Sequence, residues 1–420
     1  MMILGREKNN ISLKEINKKN ILKIVIEEGP ISRIDISRRL IISRPTTSAY
    51  IGELIDDGLV EEAGKSSSTH EGGKRAMLLK FNSKAGYILG VMIGVKSIRI
   101  SITDLTSNII DIVKFPTEEW LGPDAVIDRL IKKLREMVKR SSIDKEMIIG
   151  VGIGATGLVD GKNGLVIFSP NLSGWNNIKL KEIVEKKIEL PVFIENECRV
   201  QAIAEKKYGM AKNIRDFVCF ETGIGIGTGV FIDNKLVSGN KGMAGEVGHI
   251  ITNLGGKRVC HCGNVGCLET LCSTESLLED IEDDIKKSGK ASDYGKDRLE
   301  MKDLFSLYKK GDKIVSRNVE NNAKYLGIGI SNTIKMFNPE LVIIHGDVIK
   351  FGEKYLENVR KSVYENTFPK VKDNYNIEFS EMGDRVGVIG AASIVFDNIF
   401  DLDNSNIAGQ YIIKKKLSKI

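Results

Sequence analysis

The stretch GEVGHIITNLGGKRVCHCGNVGCLE, residues 245–269, decides how the chain is read. It sets His249 eleven residues ahead of Cys260 and packs Cys260, Cys262 and Cys267 into eight positions. In this His-x10-Cys-x-Cys-x4-Cys pattern, Gly263 and Gly266 give the short loop room to fold back. Zinc takes four nitrogen or sulfur ligands tetrahedrally, and a Cys3His set closes a structural site. The competing readings are a redox pair or free thiols. Six cysteines in 420 residues make no disulfide scaffold. In a reducing compartment a local cysteine cluster reads first as metal-binding. Cys198, Cys219 and Cys272 are scattered and read as small core residues.

On both sides of this stretch the chain alternates like a sheet. YILGVMIGV, SIRISITDL and NIIDIVKFP read as three strands, followed by a helix over 123–141 and the apolar run MIIGVGIGATG. The order then recurs. FVCFETG and IGTGVFIDN are strands, and GEVGHIITN is expected to start a third. ELVIIHGDV and YNIEFSEM are strands separated by the helix GEKYLENVRKSVYEN. A repeated meander followed by alternating helices and strands predicts two α/β lobes. Ligands of such sheets bind beyond the carboxyl ends of the strands, here between the lobes. The run Gly223 to Gly229 is either a backbone cradle for phosphate or a set of tight turns, and spacing alone does not separate the two.

Ahead of the lobes lies a different pattern. LKEINKKNILKIVIEE (13–28) puts Ile16, Asn20, Ile21, Ile24 and Val25 on one helical face, and Gly29-Pro30 ends it. Ser32 is placed to cap SRIDISRRL, whose apolar positions are Ile34, Ile36 and Leu40. After the turn Ile41-Ile42, Ser43 caps RPTTSAYIGELIDD, with Pro45 in its first turn. Tyr50, Ile51, Leu54 and Ile55 are its expected buried stripe. Two short helices across a tight turn make a helix-turn-helix. Arg44, Thr46, Thr47 and Ser48 sit at the start of the second and are the candidate DNA contacts. Residues 66–75, with Lys74 and Arg75 at a basic tip, followed by the strand Met77–Phe81, read as the wing of a winged helix. A helical module for protein contacts is the alternative.

The charge is uneven in the direction of a nucleic-acid-binding head, while on charge alone a solvated face is the preferred reading. Residues 1–84 carry 15 Lys/Arg against 11 Asp/Glu, most of the chain's net +6. No apolar run reaches the ~18–20 residues of a membrane span, and MMILGREKNNISLKE turns charged before a signal peptide's apolar region forms. The expected location is the cytoplasm. The basic C-terminal tail QYIIKKKLSKI is given no role.

The sequence also carries a resemblance. GEVGH (245–249) with CHCGNVGCLE (260–269) resembles the signature of the ROK family, which contains sugar kinases and sugar-responsive repressors. GIGATGLVD (152–160), SPNLSGW (169–175), IENE (194–197) and TGIGIGTG (222–229) match it in order. The resemblance spans about 20–400, and the winged helix ahead of it is the repressor arrangement. It implies an N-terminal winged helix-turn-helix, mostly α, over 1–82. An actin-like (RNase H-like) two-lobed α/β sugar-kinase fold then follows. Its first lobe is expected at 86–195, with a C-terminal helix near 386–400 packing back on it, and its second at 196–400 with the zinc site. The implied structural zinc ligands are His249, Cys260, Cys262 and Cys267. The implied sugar-contacting positions are Asn171, Asn196, Glu197, Glu246, His249 and Glu269. Carboxylates and amides suit vicinal hydroxyls, each both donor and acceptor.

Two departures separate the chain from the family's kinases. Those carry an Asp-x-Gly-Gly-Thr phosphate loop after the first strand, where this chain has Met92-Ile93-Gly94-Val95-Lys96-Ser97. They also carry Asn-Asp, the Asp taking the proton of the attacking hydroxyl, where this chain has Asn196-Glu197. An extra methylene displaces a base by about 1.5 Å, and misplacement on that scale costs ~10²-fold in rate. Losing the phosphate loop removes positioning and charge stabilisation. The Asn-Glu form resembles the family's xylose-responsive branch. The expectation is a non-enzymatic, sugar-responsive repressor, dimeric or tetrameric, that binds operator DNA through the head and a monosaccharide, xylose first, in the cleft. The alternatives are an active ATP-dependent sugar kinase and a sugar-independent regulator answering to a protein partner.

Overall fold

A computed structural model describes residues 13–66, 75–289, 294, 298–368 and 374–400. The head consists of α1 (Leu13–Glu28), β1 (Ile31–Ser32), α2 (Arg33–Leu40), α3 (Arg44–Asp56), β2 (Val60–Lys65) and β3 (Met77–Phe81), with the strands in the antiparallel order β1-β3-β2. The caps fall where serine demands them. Ser32 Oγ accepts from Asp35 N at 3.2 Å, and Ser43 Oγ from Thr46 N at 3.3 Å. Between the two helices Ile41 takes the left-handed conformation (φ 54°).

Two expectations in the head are corrected. The buried face of α1 holds Ile21, Leu22 and Val25, while Ile16 is exposed. Lys18 takes part in that face: its stem is buried and its ammonium reaches Glu53 and Asp57, each at 3.2 Å. Thr47, expected to face DNA, is buried with Ile51 and Leu54 on the inner side of α3. Helical periodicity turns it inward one turn ahead of Ile51.

The body repeats one topology twice. The first lobe contains β4 (Tyr87–Ile93), β5 (Ser97–Asp104), β6 (Ile109–Pro116), α4 (Gly122–Arg140) and β7 (Ile148–Ala155). A small sheet of β8 (Leu158–Asp160), β9 (Leu165–Phe168) and β10 (Asn176–Ile178) follows. Then come α5 (Leu180–Ile188), β11 (Val192–Asn196) and α6 (Glu197–Tyr208). The strands β4, β5 and β6 form an antiparallel meander, and β7 and β11 add in parallel, giving β11-β7-β4-β5-β6. The second lobe has β12 (Phe217–Thr222), β13 (Ile226–Ile232), β14 (Lys235–Leu236), α7 (Glu269–Cys272), α8 (Thr274–Ser288), α9 (Met301–Lys309) and α10 (Lys313–Phe337). It ends with β15 (Leu341–Gly346), α11 (Glu353–Asn366) and β16 (Asn376–Phe379). Its order β14-β13-β12-β15-β16 is the same meander with two parallel strands added.

GEVGHIITN does not become a strand. Val247–His249 is a single 3-10 turn, and pairing is limited to the bridges Ile251 with Cys267 and Val259 with Val265. The last helix, α12 (Val386–Phe400), packs on β4, β7 and α6. Its far end reaches the head, where Phe81 meets Phe396 and Phe400 edge-on at 6.1 and 6.2 Å. Among the described residues no helix is long and apolar enough to cross a membrane.

Candidate functional site: an interlobe cleft beside a Cys3His cluster

The loop 245–268 folds back on itself. Gly263 and Gly266 hold positive φ (92° and 87°), and a side chain at Gly266 would run into the backbone carbonyl of Asn253. The ligand atoms of His249, Cys260, Cys262 and Cys267 therefore lie within 4.8 Å of one another. His249 Nδ1 is 3.5 Å from Cys260 Sγ, and Cys262 Sγ is 3.7 Å from Cys267 Sγ. This set can hold a metal ion. The Nδ1 edge of His249 faces the cysteines.

Glu269, at the start of α7, links this cluster to the cleft. Its Oε1 is 3.5 Å from Cys260 Sγ, and its Oε2 accepts the Ile226 N–H at 3.0 Å. That bond bears on the glycine-rich run. Gly223 N–H donates to Gly225 O, and the Ile226 amide is spent on Glu269. A β-carbon at Gly225 would lie 2.7 Å from Glu269 Oε2 and 3.3 Å from Asn171 Nδ2, so a side chain there would displace that carboxylate. In this structure the run is a tight turn packed against the protein's own carboxylate.

The cleft between the lobes has a volume of about 320 Å³, and its walls include Asn171, Glu197, Thr156 and Glu221. Burial raises the Glu197 carboxyl to about 8, helped by the negative charges of Glu221 and Glu246. Thr156 Oγ1 lies 2.8 Å from Ile93 O and 2.9 Å from Glu197 Oε2. A hydroxyl has one hydrogen and a carbonyl only accepts. A protonated Glu197 donating to Thr156, with Thr156 donating to Ile93, satisfies all three. Glu246 is also raised, first by burial and then by Glu269, with His249 and Arg199 opposing.

The six candidate sugar residues thus divide. Asn171 and Glu197 line the cavity, and the Oδ1 of Asn171 is buried without a partner. Glu246, His249 and Glu269 stand together behind the glycine turn. Asn196 is committed to the fold: its Oδ1 caps α6 through Cys198 N and Arg199 N, and its Nδ2 donates to Gly157 O. It positions Glu197. Several residues were missed from sequence. The buried Arg199 pairs with Glu195 at 2.6 Å and donates to Gly242 O and Val159 O, anchoring the loop that carries Glu246. Glu197, Gln201 and Glu205 recur every four residues on α6, a spacing that would have revealed the polar stripe facing Glu221 and His345. On the head, Arg44 and Ser48 are exposed, Thr46 bonds to Ser43 Oγ at 2.7 Å, and Arg75 is exposed. Lys74 and the wing tip lie outside the described residues.

A winged head on an α/β body of repeated topology, with a metal-type cluster beside the interlobe cleft, matches known proteins over most of the chain. Residues 14–61 match the winged helix-turn-helix DNA-binding family and residues 88–398 the ROK family. The chain belongs to the ROK family. It is 34% identical to the xylose repressor of Caldicellulosiruptor bescii over 401 residues, 93% of this chain and 98% of that protein. A crystal structure of a ROK family transcriptional regulator, a homolog of the E. coli MLC protein, superposes with TM-score 0.80 at 25% identity. It covers 97% of this chain and 99% of its own. The ROK family glucokinase of Streptomyces griseus, solved with glucose and AMPPNP, superposes with TM-score 0.67 at 28% identity. It covers 74% of this chain and 99% of its own.

Proposed function

We propose that this protein is a sugar-responsive transcriptional repressor that works in the cytoplasm as a dimer. Its head, over 1–82, binds operator DNA through Arg44, Thr46, Ser48 and the basic wing with Lys74 and Arg75. Its two lobes, the first running from 86 through α6 with α12 packed on it and the second from β12 to β16, bind a free monosaccharide between them. The carrying observation is that the likeness to regulators runs through the head, whereas the glucokinase matches 74% of the chain. The body binds and does not turn over. Where the family's kinases have a phosphate loop, Gly94 N–H closes a tight hairpin onto Ser97 O at 3.2 Å. Xylose is the proposed effector, on the likeness to the Caldicellulosiruptor repressor. Asn171, Glu197, Glu246 and Glu269 would take its hydroxyls, with His249 presenting the ring edge turned away from the cysteines.

The Cys3His cluster is proposed to hold structural zinc. Zn–S bonds of ~2.3 Å and a Zn–N bond of ~2.0 Å at tetrahedral angles require S···S near 3.8 Å and N···S near 3.5 Å. The observed 3.7 and 3.5 Å fit. Bound there, zinc would fix the loops that aim Glu246 and Glu269.

Sugar releases DNA only by preferring a conformation in which the two heads no longer fit their half-sites. A full switch needs ~5.5 kcal/mol of preference. Operator retention on a gel with and without xylose, glucose and other aldoses is the test. DNA affinity unchanged by every sugar ends the induction reading, and ATP turnover with an aldose would install the kinase instead.

A further inference from the structure

Glu221 is the last residue but one of the apolar strand β12, with only Thr222 between it and the glycine turn. Across the sheet it pairs with Gly227 on one side and His345 on the other, so side chains at these positions share one face. Gly227 contributes none, which leaves Glu221 room. Its Oε1 lies 3.6 Å from where a β-carbon of Gly223 would stand, placing the carboxylate over the turn that an anion would need to approach. Gln201 reaches it from α6.

Two of the cleft's three cations are engaged by carboxylates of the cleft itself, and the third lies at its rim. Arg99 Nη2 pairs with Asp384 at 2.8 Å and Lys350 with Asp347 at 2.6 Å, and Lys96 stands exposed at the rim. The buried atoms left over include acceptors. Asn171 Oδ1 and Gln201 Oε1 both line the cavity, are buried, and have no partner; Gln201 is 6% exposed. Such atoms need donors, and leaving them unpaired is costly. A sugar hydroxyl donates. A phosphate oxygen at neutral pH accepts, and it carries negative charge toward the Glu221 carboxylate in a site of reduced dielectric.

We propose that Glu221 is a charge filter in the inner half of the cleft, making it select neutral, hydroxyl-bearing ligands and reject phosphorylated ones, sugar phosphates and nucleotides alike. The proposal rests on reading the cleft as a sugar site. It also gives the sensor a place in a reaction sequence. The protein responds to a free sugar before a phosphoryl-transfer step consumes it and is blind to the phosphorylated product.

Calorimetry on the full-length protein tests this with four probes: D-xylose, D-glucose, D-glucose 6-phosphate and ADP. The wild type should bind a neutral sugar and bind both anions at least ~100-fold more weakly. Glu221→Gln should keep the sugar within about threefold and gain about tenfold or more for glucose 6-phosphate, ADP or both. Glu221→Ser provides a smaller, uncharged second variant, and both are checked for wild-type melting. Wild-type binding of glucose 6-phosphate within threefold of glucose overturns the filter. So does sugar binding with no anion gain in either variant. If no sugar binds but both variants gain ADP, the sugar reading falls and the filter stands. A gain confined to ADP or to glucose 6-phosphate shows which source of phosphate the carboxylate turns away.

Discussion

In the first lobe the chain leaves its opening strand, β4, through the hairpin Gly94–Ser97, closed by a backbone bond and tied by Thr117 Oγ1 to Gly94 O at 2.6 Å. In the second it leaves the matching strand, β12, through Gly223–Gly225, and the turn is held by Glu269, 43 residues beyond Ile226. The strand order is the same in both lobes, and both turns face the cleft. The first hairpin is held by its own backbone bond and by Thr117 of the same sheet's edge. The second leans on a carboxylate that itself touches the Cys3His cluster. The repeated topology supplies the scaffold, and long-range polar contacts in the second lobe hold that lobe's share of the site.

If the metal cluster is what distinguishes the second lobe, removing it should have the largest effect. Cys262→Ser should lower bound zinc from about one ion per chain and destabilise the body by several kcal/mol, because metal binding free energy is folding free energy. Elemental analysis and denaturant unfolding measure both. A wild type that is metal-free and a variant of equal stability would dissolve the distinction between the lobes.

The paired turns allow a more direct contrast. A β-carbon on Gly225 must push the Glu269 carboxylate, whereas one on Gly94 meets Ser97 O at 3.1 Å within its own hairpin. Gly225→Ala should therefore weaken sugar binding about tenfold or more, the cost of misplacing a buried hydrogen-bonding group, while operator binding without sugar stays intact. Gly94→Ala should change sugar affinity by no more than about threefold. Equal losses in calorimetry would mean that the two turns serve the site alike.

What the sequence disclosed follows the range of the forces involved. The caps at Ser32 and Ser43 and the alternating strands are local, and each was legible from a few residues. The metal-type cluster was legible because its spacing is itself the signal. GEVGHIITN misled because its apolar alternation looks like a strand, while the chain there turns to bring His249 to the cysteines. Thr47 misled because its polarity suggested an outward face and its helical position turns it in. Glu221, Gln201 and His345 come from two strands and a helix, and only folding shows that they meet. The glycine run stayed ambiguous because the partner that decides it, Glu269, lies far along the chain.

The last expected effect concerns the two carboxyls that face each other across the lobes. Glu197 follows the last strand of the first sheet, and Glu221 lies next to the end of the first strand of the second. Burial, reinforced by Glu221, holds Glu197 at about 8, and burial holds Glu221 at about 7. The folded protein therefore keeps a proton on Glu197 that the unfolded chain releases near pH 4.5. Between these values the native state binds more protons, so stability falls as pH rises; the contribution is complete at the acid end and gone above about pH 8. Glu197→Gln removes the titration while keeping an uncharged hydrogen-bonding group beside Thr156. Thermal melts at pH 5.5 and 8.5 should show the wild type losing more stability than the variant, by on the order of 2 kcal/mol. Parallel melting curves would mean that Glu197 ionises without penalty and that the two lobes do not press like charges together at the cleft.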